Sequence, residues 1–187
     1  MQTSQLAAIP NKGAAVWLTG LPAAGKTTVA LAVQEALHNS GRLACVIDGD
    51  ELRRGLCSDL GFTEKDRTEN VRRAAEMAVY LSKQGIITII ALISPMRLQR
   101  SSARSLHGEA GIPFMEVWVS TPIEVCRQRD PKGLYNRYNQ GNLHGLTGMD
   151  DPYEPPDCPD LVLPTDTMTI SEAVDAVMAM LHKSGIL

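Results

Sequence analysis

The 187-residue sequence has few cysteines and few aromatic residues, and no apolar run approaches the roughly 20 residues of a membrane-spanning helix. Its four cysteines show neither C-x-x-C spacing nor a disulfide framework, which argues against a zinc site. Cys45 lies in an apolar run, where we expect a buried free thiol. The chain does not open with a basic-then-apolar leader, and its net charge of -3 argues against nucleic-acid and membrane-surface partners. We therefore expect a cytoplasmic protein.

The sequence does contain a phosphate-binding motif near its N-terminus. Residues 20–28 fit the pattern G-x-x-x-x-G-K-[ST], the P-loop. The apolar residues 15–18 precede the motif and predict a strand, and the residues after it carry one apolar helical face that ends near Gly41. Glycines let the backbone close round an anion, and the free amides at the helix N-terminus supply positive partial charge. This context favours a nucleotide site over a turn that binds nothing.

Each residue of the motif has an expected contact with the nucleotide. We expect Lys26 to reach the β- and γ-phosphates of ATP, and the Thr27 hydroxyl to bind Mg²⁺. The expected nucleotide-binding residues of the loop are Gly20, Leu21, Pro22, Ala23, Ala24, Gly25, Lys26, Thr27 and Thr28.

Strands and helices alternate along the rest of the chain. Further strands are predicted at residues 43–47, 86–93, 114–119 and 161–163. Further helices are predicted at residues 64–83 and 97–107. A short helix is predicted to start at Pro122, and a last helix follows a capping box of Thr169 and Glu172. This order predicts a three-layer α/β fold of the P-loop NTPase type, with a central, mostly parallel sheet of five strands.

We expect residues 1–187 to form a single kinase domain, with residues 1–12 as a loose lead-in. Residues 130–160 contain four glycines and five prolines and show no obvious helix or strand. An irregular stretch of that length in a compact domain is typical of a functional lid.

Three classes of P-loop protein differ in the motifs that they carry outside the P-loop. A GTPase switch would carry N-K-x-D after the P-loop, but Asn11-Lys12 precedes it. A motor or transport ATPase would end a hydrophobic strand with an acid, whereas the central strand here ends Ile93-Ser94-Pro95. A small-molecule kinase needs an acceptor pocket at the carboxyl ends of the strands and a lid that excludes water. The sequence favours this third class.

Spacing alone does not decide which residues bind the acceptor. Asp48 and Asp50 follow the second predicted strand, and they suit either a catalytic site or a polar turn in which Asp50 caps the next helix. Arg67 and Asn70 share one face of the long helix, but a charged helix start is also typical of a solvated surface.

Five blocks of sequence resemble the adenylylsulfate kinase family. They run in the family's order between Gly20 and about Leu161 and so cover most of the chain. The blocks are Asp48-Gly-Asp50-x-x-Arg53, Phe62-Thr-x-x-Asp66-Arg67-x-Glu69-Asn70, Ser94-Pro95-x-Arg97-x-x-Arg100, Cys126-x-x-Arg129-Asp130-Pro131-Lys132 and Thr147-Gly148-x-Asp150.

The resemblance implies a reaction and its partners. It implies transfer of the ATP γ-phosphate, with Mg²⁺, to the ribose 3′-hydroxyl of adenosine 5′-phosphosulfate, which gives 3′-phosphoadenylylsulfate and ADP. It also implies a homodimer and a functional link with a sulfate adenylyltransferase.

The resemblance assigns roles to individual residues. Asp50 orients or deprotonates the 3′-hydroxyl, Asp48 joins Thr27 near Mg²⁺, and Lys132 faces phosphate. On the acceptor side Phe62 stacks on the adenine of the substrate. On the donor side Arg129 and Asp130 lie near the base of ATP or ADP. The residues implied for the phosphosulfate group are Arg53, Arg67 and Asn70, with backbone near Ile93 and Ser94.

Two positions depart from the family pattern. Leu146 stands where the family's lid usually has a phenylalanine that closes over the substrate adenine, and Pro22 removes one amide donor from the P-loop. We expect altered affinity rather than lost activity. Two alternatives remain at this point: a P-loop kinase with another nucleotide or sugar acceptor, and a nucleotide-binding module without turnover.

Overall fold

The central sheet lies within residues 12–187, the part of the chain that the computed structural model describes. All of its strand pairs are parallel, and the spatial order is β2-β3-β1-β4-β5. The strands are β1 (Ala14–Thr19), β2 (Ala44–Asp48), β3 (Ile87–Ala91), β4 (Phe114–Val119) and β5 (Leu161–Leu163). The predicted five-stranded sheet is confirmed, with the strand before the P-loop at its centre and residues 161–163 at one edge.

Seven helices within the described residues connect or flank the strands. They are α1 (Lys26–Asn39), α2 (Gly49–Arg54), α3 (Glu64–Ser82), α4 (Arg97–Glu109), α5 (Ile123–Arg129), α6 (Leu134–Asn139) and α7 (Ile170–Lys183). The predicted capping box is present at the start of α7, where the Thr169 and Glu172 side chains each bond the other's backbone amide.

The three-layer arrangement follows from the apolar character of β1, in which every residue before Thr19 is apolar. Residues 14–18 are completely buried and alternate between two apolar clusters. Val16 and Leu18 pack with α1 and α7 on one face of the sheet, whereas Ala15 and Trp17 pack with α3 and α4 on the other. A parallel strand covered by helices on both faces has no solvent-facing side, which is why this strand shows no polar alternation.

Two expectations about local structure were wrong. Residues 130–160 contain a helix, α6, although the sequence shows no helical period there; six residues are too few to display one. The Asp130 carboxylate starts this helix by accepting hydrogen bonds from the Tyr135 and Asn136 amides. Cys45 is a free thiol but is only half-buried, because β2 is an edge strand of the sheet.

Apart from Lys12, the expected lead-in at residues 1–12 lies outside the described residues. Within residues 12–187, none of the helices has both the length and the apolar character that crossing a bilayer requires.

Candidate active site

The P-loop connects β1 to α1 at the carboxyl edge of the sheet. Gly20 has no room for a side chain, since a Cβ there would lie 2.5 Å from the Val119 carbonyl oxygen. Gly25, the residue before α1, is in the left-handed region at φ 101°, and Ala23 also has a positive φ of 62°. These backbone angles fold the loop tightly over the helix N-terminus, where its amides can surround a phosphate.

Lys26 lies curled against its own loop. Its Nζ donates to the carbonyl oxygens of Gly20 at 2.9 Å and Leu21 at 2.7 Å, and only 9% of the residue is exposed. Burial lowers the pKa of Lys26 to about 8, a change that the nearby Lys132 adds to and that Asp48 and Asp50 oppose. Phosphate oxygens would replace the two carbonyl acceptors and favour the charged lysine.

Thr27 and Asp48 meet beside the P-loop. The Thr27 hydroxyl donates to Asp48 Oδ2 at 2.6 Å, while Asp48 Oδ1 accepts from the Asp50 amide at 2.8 Å. The cap of α2 is therefore Asp48, so the alternative in which Asp50 is the N-cap is wrong, and the Asp50 carboxylate is not used as a cap. A hydroxyl and a carboxylate side by side suit Mg²⁺, which takes oxygen ligands and fills the rest of its shell with water and phosphate.

Asp50 forms an ion pair with Lys132 across the mouth of the site, and both side chains are half-exposed. This contact links the start of α2 to residues 130–160. It brings together the two residues that the sequence placed near the transferred phosphoryl group.

Arg129 is held on the opposite side of the P-loop by a residue that the sequence reasoning missed, Thr165. Arg129 donates to the Thr165 carbonyl oxygen at 2.6 Å and to its hydroxyl at 3.0 Å, and that hydroxyl donates to the Ala24 carbonyl oxygen at 2.7 Å. The available signal was position, since Thr165 follows the carboxyl end of β5. Asp130, by contrast, uses both carboxylate oxygens to cap α6.

The two acceptor-side arginines surround Phe62. The guanidinium carbon of Arg53 lies 4.4 Å from the Phe62 ring centroid, and that of Arg67 lies 5.7 Å away. Arg67 also reaches residues 130–160, where it donates to the Gly145 carbonyl oxygen at 2.6 Å and to Asp151 at 3.1 Å. Phe62 itself is 65% exposed, so much of its flat apolar ring is accessible to a ligand.

Backbone and amide groups complete the acceptor side. Trp17 donates to the Ser94 hydroxyl at 3.0 Å, and Thr19 donates to the Ile93 carbonyl oxygen at 2.7 Å. Asn70 is 5% exposed, and its Oδ1 has no hydrogen-bond partner within the described residues. An unpaired buried amide oxygen is costly unless a ligand supplies a donor.

Leu146 lies near the middle of residues 130–160. It is 5% exposed and packs with the apolar cluster on the α1 and α7 face of the sheet. Its amide and that of Gly145 donate to the Asp150 carboxylate, at 2.7 and 2.9 Å. Asp150 therefore fixes the backbone at Leu146.

One cavity of about 1420 Å³ joins these groups. Pockets that hold one drug-sized ligand typically measure about 300–1,000 Å³, so this space suits more than one small ligand. Gly20, Leu21 and Ala24 do not line it. The predicted site residues that line it are Pro22, Ala23, Gly25, Lys26, Thr27, Thr28, Asp48, Asp50, Arg53, Phe62, Arg67, Asn70, Ile93, Ser94, Arg129, Asp130, Lys132 and Leu146.

A P-loop at one end of a parallel sheet, sharing a cavity with a carboxylate and a pair of arginines, defines a P-loop kinase. A family model for adenylylsulphate kinase matches residues 12–164. The chain is similar to the adenylyl-sulfate kinase of Paraburkholderia xenovorans, with 48% identity over 93% of this chain and 96% of the relative. The chain belongs to the adenylylsulphate kinase family.

Two further relatives differ in what they add. The APS kinase of Mycobacterium tuberculosis, solved in complex with AMPPNP and APS, superposes with a TM-score of 0.90 at 43% identity, covering 92% of this chain and 99% of that one. The bifunctional enzyme NodQ of Azospirillum brasilense is 42% identical over 100% of this chain, which corresponds to 30% of NodQ.

Proposed function

We propose that this chain transfers the γ-phosphate of ATP to the ribose 3′-hydroxyl of adenosine 5′-phosphosulfate, giving 3′-phosphoadenylylsulfate and ADP. The observation that carries the proposal is the shared cavity, in which the P-loop faces Asp50, Arg53 and Arg67. The Mycobacterium tuberculosis relative supports it, since its structure contains an ATP analogue and APS.

ATP would bind with its phosphates in the P-loop. Lys26 would leave the Gly20 and Leu21 carbonyl oxygens and bind the β- and γ-phosphates. Thr27 and Asp48 would hold Mg²⁺, which supplies charge neutralisation on the phosphate oxygens when bound. Arg129, anchored by Thr165, would lie on the nucleotide side with Asp130.

Adenosine 5′-phosphosulfate would bind at the other end of the cavity. Arg53 and Arg67 would make charge-assisted hydrogen bonds to the phosphosulfate group. Asn70 would add a neutral contact, in which its unpaired Oδ1 accepts from a hydroxyl or amino group of the nucleoside. Phe62, which is largely exposed, would stack on the adenine, and Leu146 would pack near the base without a second aromatic ring.

Asp50 would orient the 3′-hydroxyl and accept its proton. Phosphoryl transfer is loose, so a carboxylate suffices when the proton leaves late and the nucleophile is placed in line. Lys132 would break its ion pair with Asp50 and bind a phosphate oxygen instead. The Asp50 carboxylate is then free to accept the proton, and the positive charge of Lys132 stabilises the transferred phosphoryl group. We further propose that residues 1–187 act as a single kinase domain in which residues 130–160 form the lid.

The deciding experiment is ADP release from Mg·ATP with adenosine 5′-phosphosulfate as acceptor, beside adenosine monophosphate and a reaction without acceptor. Release only with adenosine 5′-phosphosulfate is the expected result. Release with another acceptor would replace the proposed substrate. ATP binding without any release would instead indicate a nucleotide-binding module.

Two proposals about partners accompany the reaction. We propose a homodimer, which light scattering of the purified chain would test by giving twice the mass of one chain. We also propose a functional link with a sulfate adenylyltransferase. The support is that a similar chain forms about a third of an enzyme named bifunctional.

A further inference from the structure

Arg100 is a buried arginine that the proposed mechanism does not use. Only 2% of it is exposed, and each of its three guanidinium nitrogens donates to a different segment of the chain. Nε reaches Glu116 Oε1 in β4 at 2.6 Å, while the two terminal nitrogens reach the Ser94 and Glu154 carbonyl oxygens at 2.7 Å each. The first carbonyl belongs to the acceptor side of the cavity and the second to the far end of residues 130–160.

The Ser94 backbone needs such support. Its φ of 39° lies in the left-handed region, which is uncommon for a residue other than glycine and persists only where the surroundings fix it. Arg100 holds the Ser94 carbonyl oxygen, and Trp17 holds the Ser94 hydroxyl at 3.0 Å. Ser94 lines the cavity, so its backbone geometry shapes the acceptor site directly.

The same arginine joins two segments that also contact each other. The Glu154 amide donates to the Pro95 carbonyl oxygen at 2.9 Å, and the Glu154 carboxylate accepts from the Arg97 amide at 2.7 Å. Arg100 adds a third link and connects both segments to β4 through Glu116. The acceptor loop at residues 93–95 and the end of the proposed lid are therefore fixed to the sheet as one unit.

We propose that Arg100 is a positioning residue for the acceptor: it fixes the strained Ser94 backbone and the end of residues 130–160 in the arrangement that binds adenosine 5′-phosphosulfate. The proposal rests on the proposed function. Arg100 does not line the cavity, so its effect passes through Ser94 and Glu154 rather than through contact with a substrate.

The first test is steady-state kinetics of Arg100→Lys, with each substrate varied in turn. Lysine keeps a positive charge opposite Glu116, but its three N–H donors lie on one nitrogen, which cannot reach all three acceptors that the separate nitrogens of the planar guanidinium now reach. We expect the KM for adenosine 5′-phosphosulfate to rise about tenfold or more, because one to two charge-assisted hydrogen bonds are lost. The KM for ATP should stay within about twofold. Arg104→Lys is the matched control for the Ser94 contact. Arg104 lies on the same helix and pairs with the same Glu116 at 3.6 Å and with Asp160 at 2.7 Å, but it does not reach residues 93–95.

A second variant separates positioning from stability. Arg100→Met alone would leave the Glu116 carboxylate with only its longer ion pair to Arg104, at 3.6 Å, so it is combined with Glu116→Gln, which removes both charges. This double variant should still fold, with a melting temperature lowered only by the two carbonyl oxygens, of Ser94 and Glu154, that lose the Arg100 donor, yet it should show the same rise in the KM for adenosine 5′-phosphosulfate. Its Glu154 amide should exchange with deuterium faster, whereas the amides of β1 should exchange as before.

The outcomes distinguish this proposal from the reaction itself. If the unchanged protein releases no ADP with adenosine 5′-phosphosulfate, the proposed function and the role of Arg100 both fail. If the unchanged protein does release ADP, the two variants decide the role of Arg100. That role alone is overturned if Arg100→Lys and the folded double variant change both KM values equally, or change neither of them.

Discussion

Lys132 in residues 130–160 is ion-paired with Asp50 at the start of α2. About 56% of each side chain is exposed, and exposed pairs of this kind contribute only about 0–1 kcal/mol. Phosphate carries more charge than a single carboxylate and would compete for the lysine when ATP binds. The pair therefore holds the proposed lid near the acceptor carboxylate at little energetic cost, and its opening would free both groups for the reaction.

Lys132→Ala should lower kcat by about a hundredfold, since a donor aimed at developing charge in a transition state is typically worth that much. Lys132→Arg should retain most of the activity, because the positive charge is kept. Steady-state kinetics with Lys83→Ala as the control, an exposed lysine at the end of α3, checks the prediction. A kcat of Lys132→Ala within twofold of the unchanged protein would remove Lys132 from the mechanism.

Asp50→Asn should lower kcat by about 10²- to 10⁴-fold, the usual range for general base catalysis, with little change in the KM for ATP. Glu51→Gln is the matched control. It changes the same charge one residue away, and Glu51 pairs only with the exposed Arg54 among the described residues. Near-normal turnover in Asp50→Asn would show that the 3′-hydroxyl needs no carboxylate at this position.

Phe62→Leu should raise the KM for adenosine 5′-phosphosulfate about tenfold, because stacking of a base on an aromatic ring contributes about 1–3 kcal/mol. The KM for ATP should not change. Tyr80→Leu removes another exposed aromatic ring, on α3, that does not line the cavity. Equal effects of the two substitutions would mean that the Phe62 ring does not bind the base.

The sequence predicted those parts of the fold that depend on local pattern. The apolar runs of β1 and β3, the glycines of the P-loop and the capping box at Thr169 each carry their signal within a few residues. The helix α6 was not predicted, because its start depends on the Asp130 side chain and its length is under two turns.

The parts of the site that were not predicted depend on contacts between residues that are far apart in the sequence. Thr165 is 36 residues from Arg129, and Glu154 is 54 residues from Arg100. Nothing in either neighbourhood marks these residues as partners, since a threonine after a strand and an arginine in a helix are common. The neighbouring sequence also does not decide whether Asp50 caps a helix or takes part in catalysis, because Asp48 and Asp50 both suit the start of α2.

Lys26 gives the site a dependence on pH. Burial lowers its pKa to about 8 in the free protein, and bound phosphate would raise that pKa again by favouring the charged form. ATP binding should therefore take up a proton above pH 8. The sign follows directly: affinity is independent of this group well below pH 8, and it weakens as the pH rises through 8, by up to about tenfold per pH unit.

Calorimetric titration of Mg·ATP between pH 6.5 and pH 9.5 checks this dependence, and repeating it in buffers with different ionisation enthalpies counts the proton. Lys26→Met should bind ATP more weakly at every pH, and its affinity should be flat across the alkaline range, because the titrating group is gone. Cys126 is buried, and its thiol has a raised pKa, so Cys126→Ser tests whether a second alkaline group contributes. An affinity of the unchanged protein that stays constant up to pH 9.5 would mean that Lys26 keeps its proton in the free site, and that the Gly20 and Leu21 carbonyl oxygens compensate for its burial.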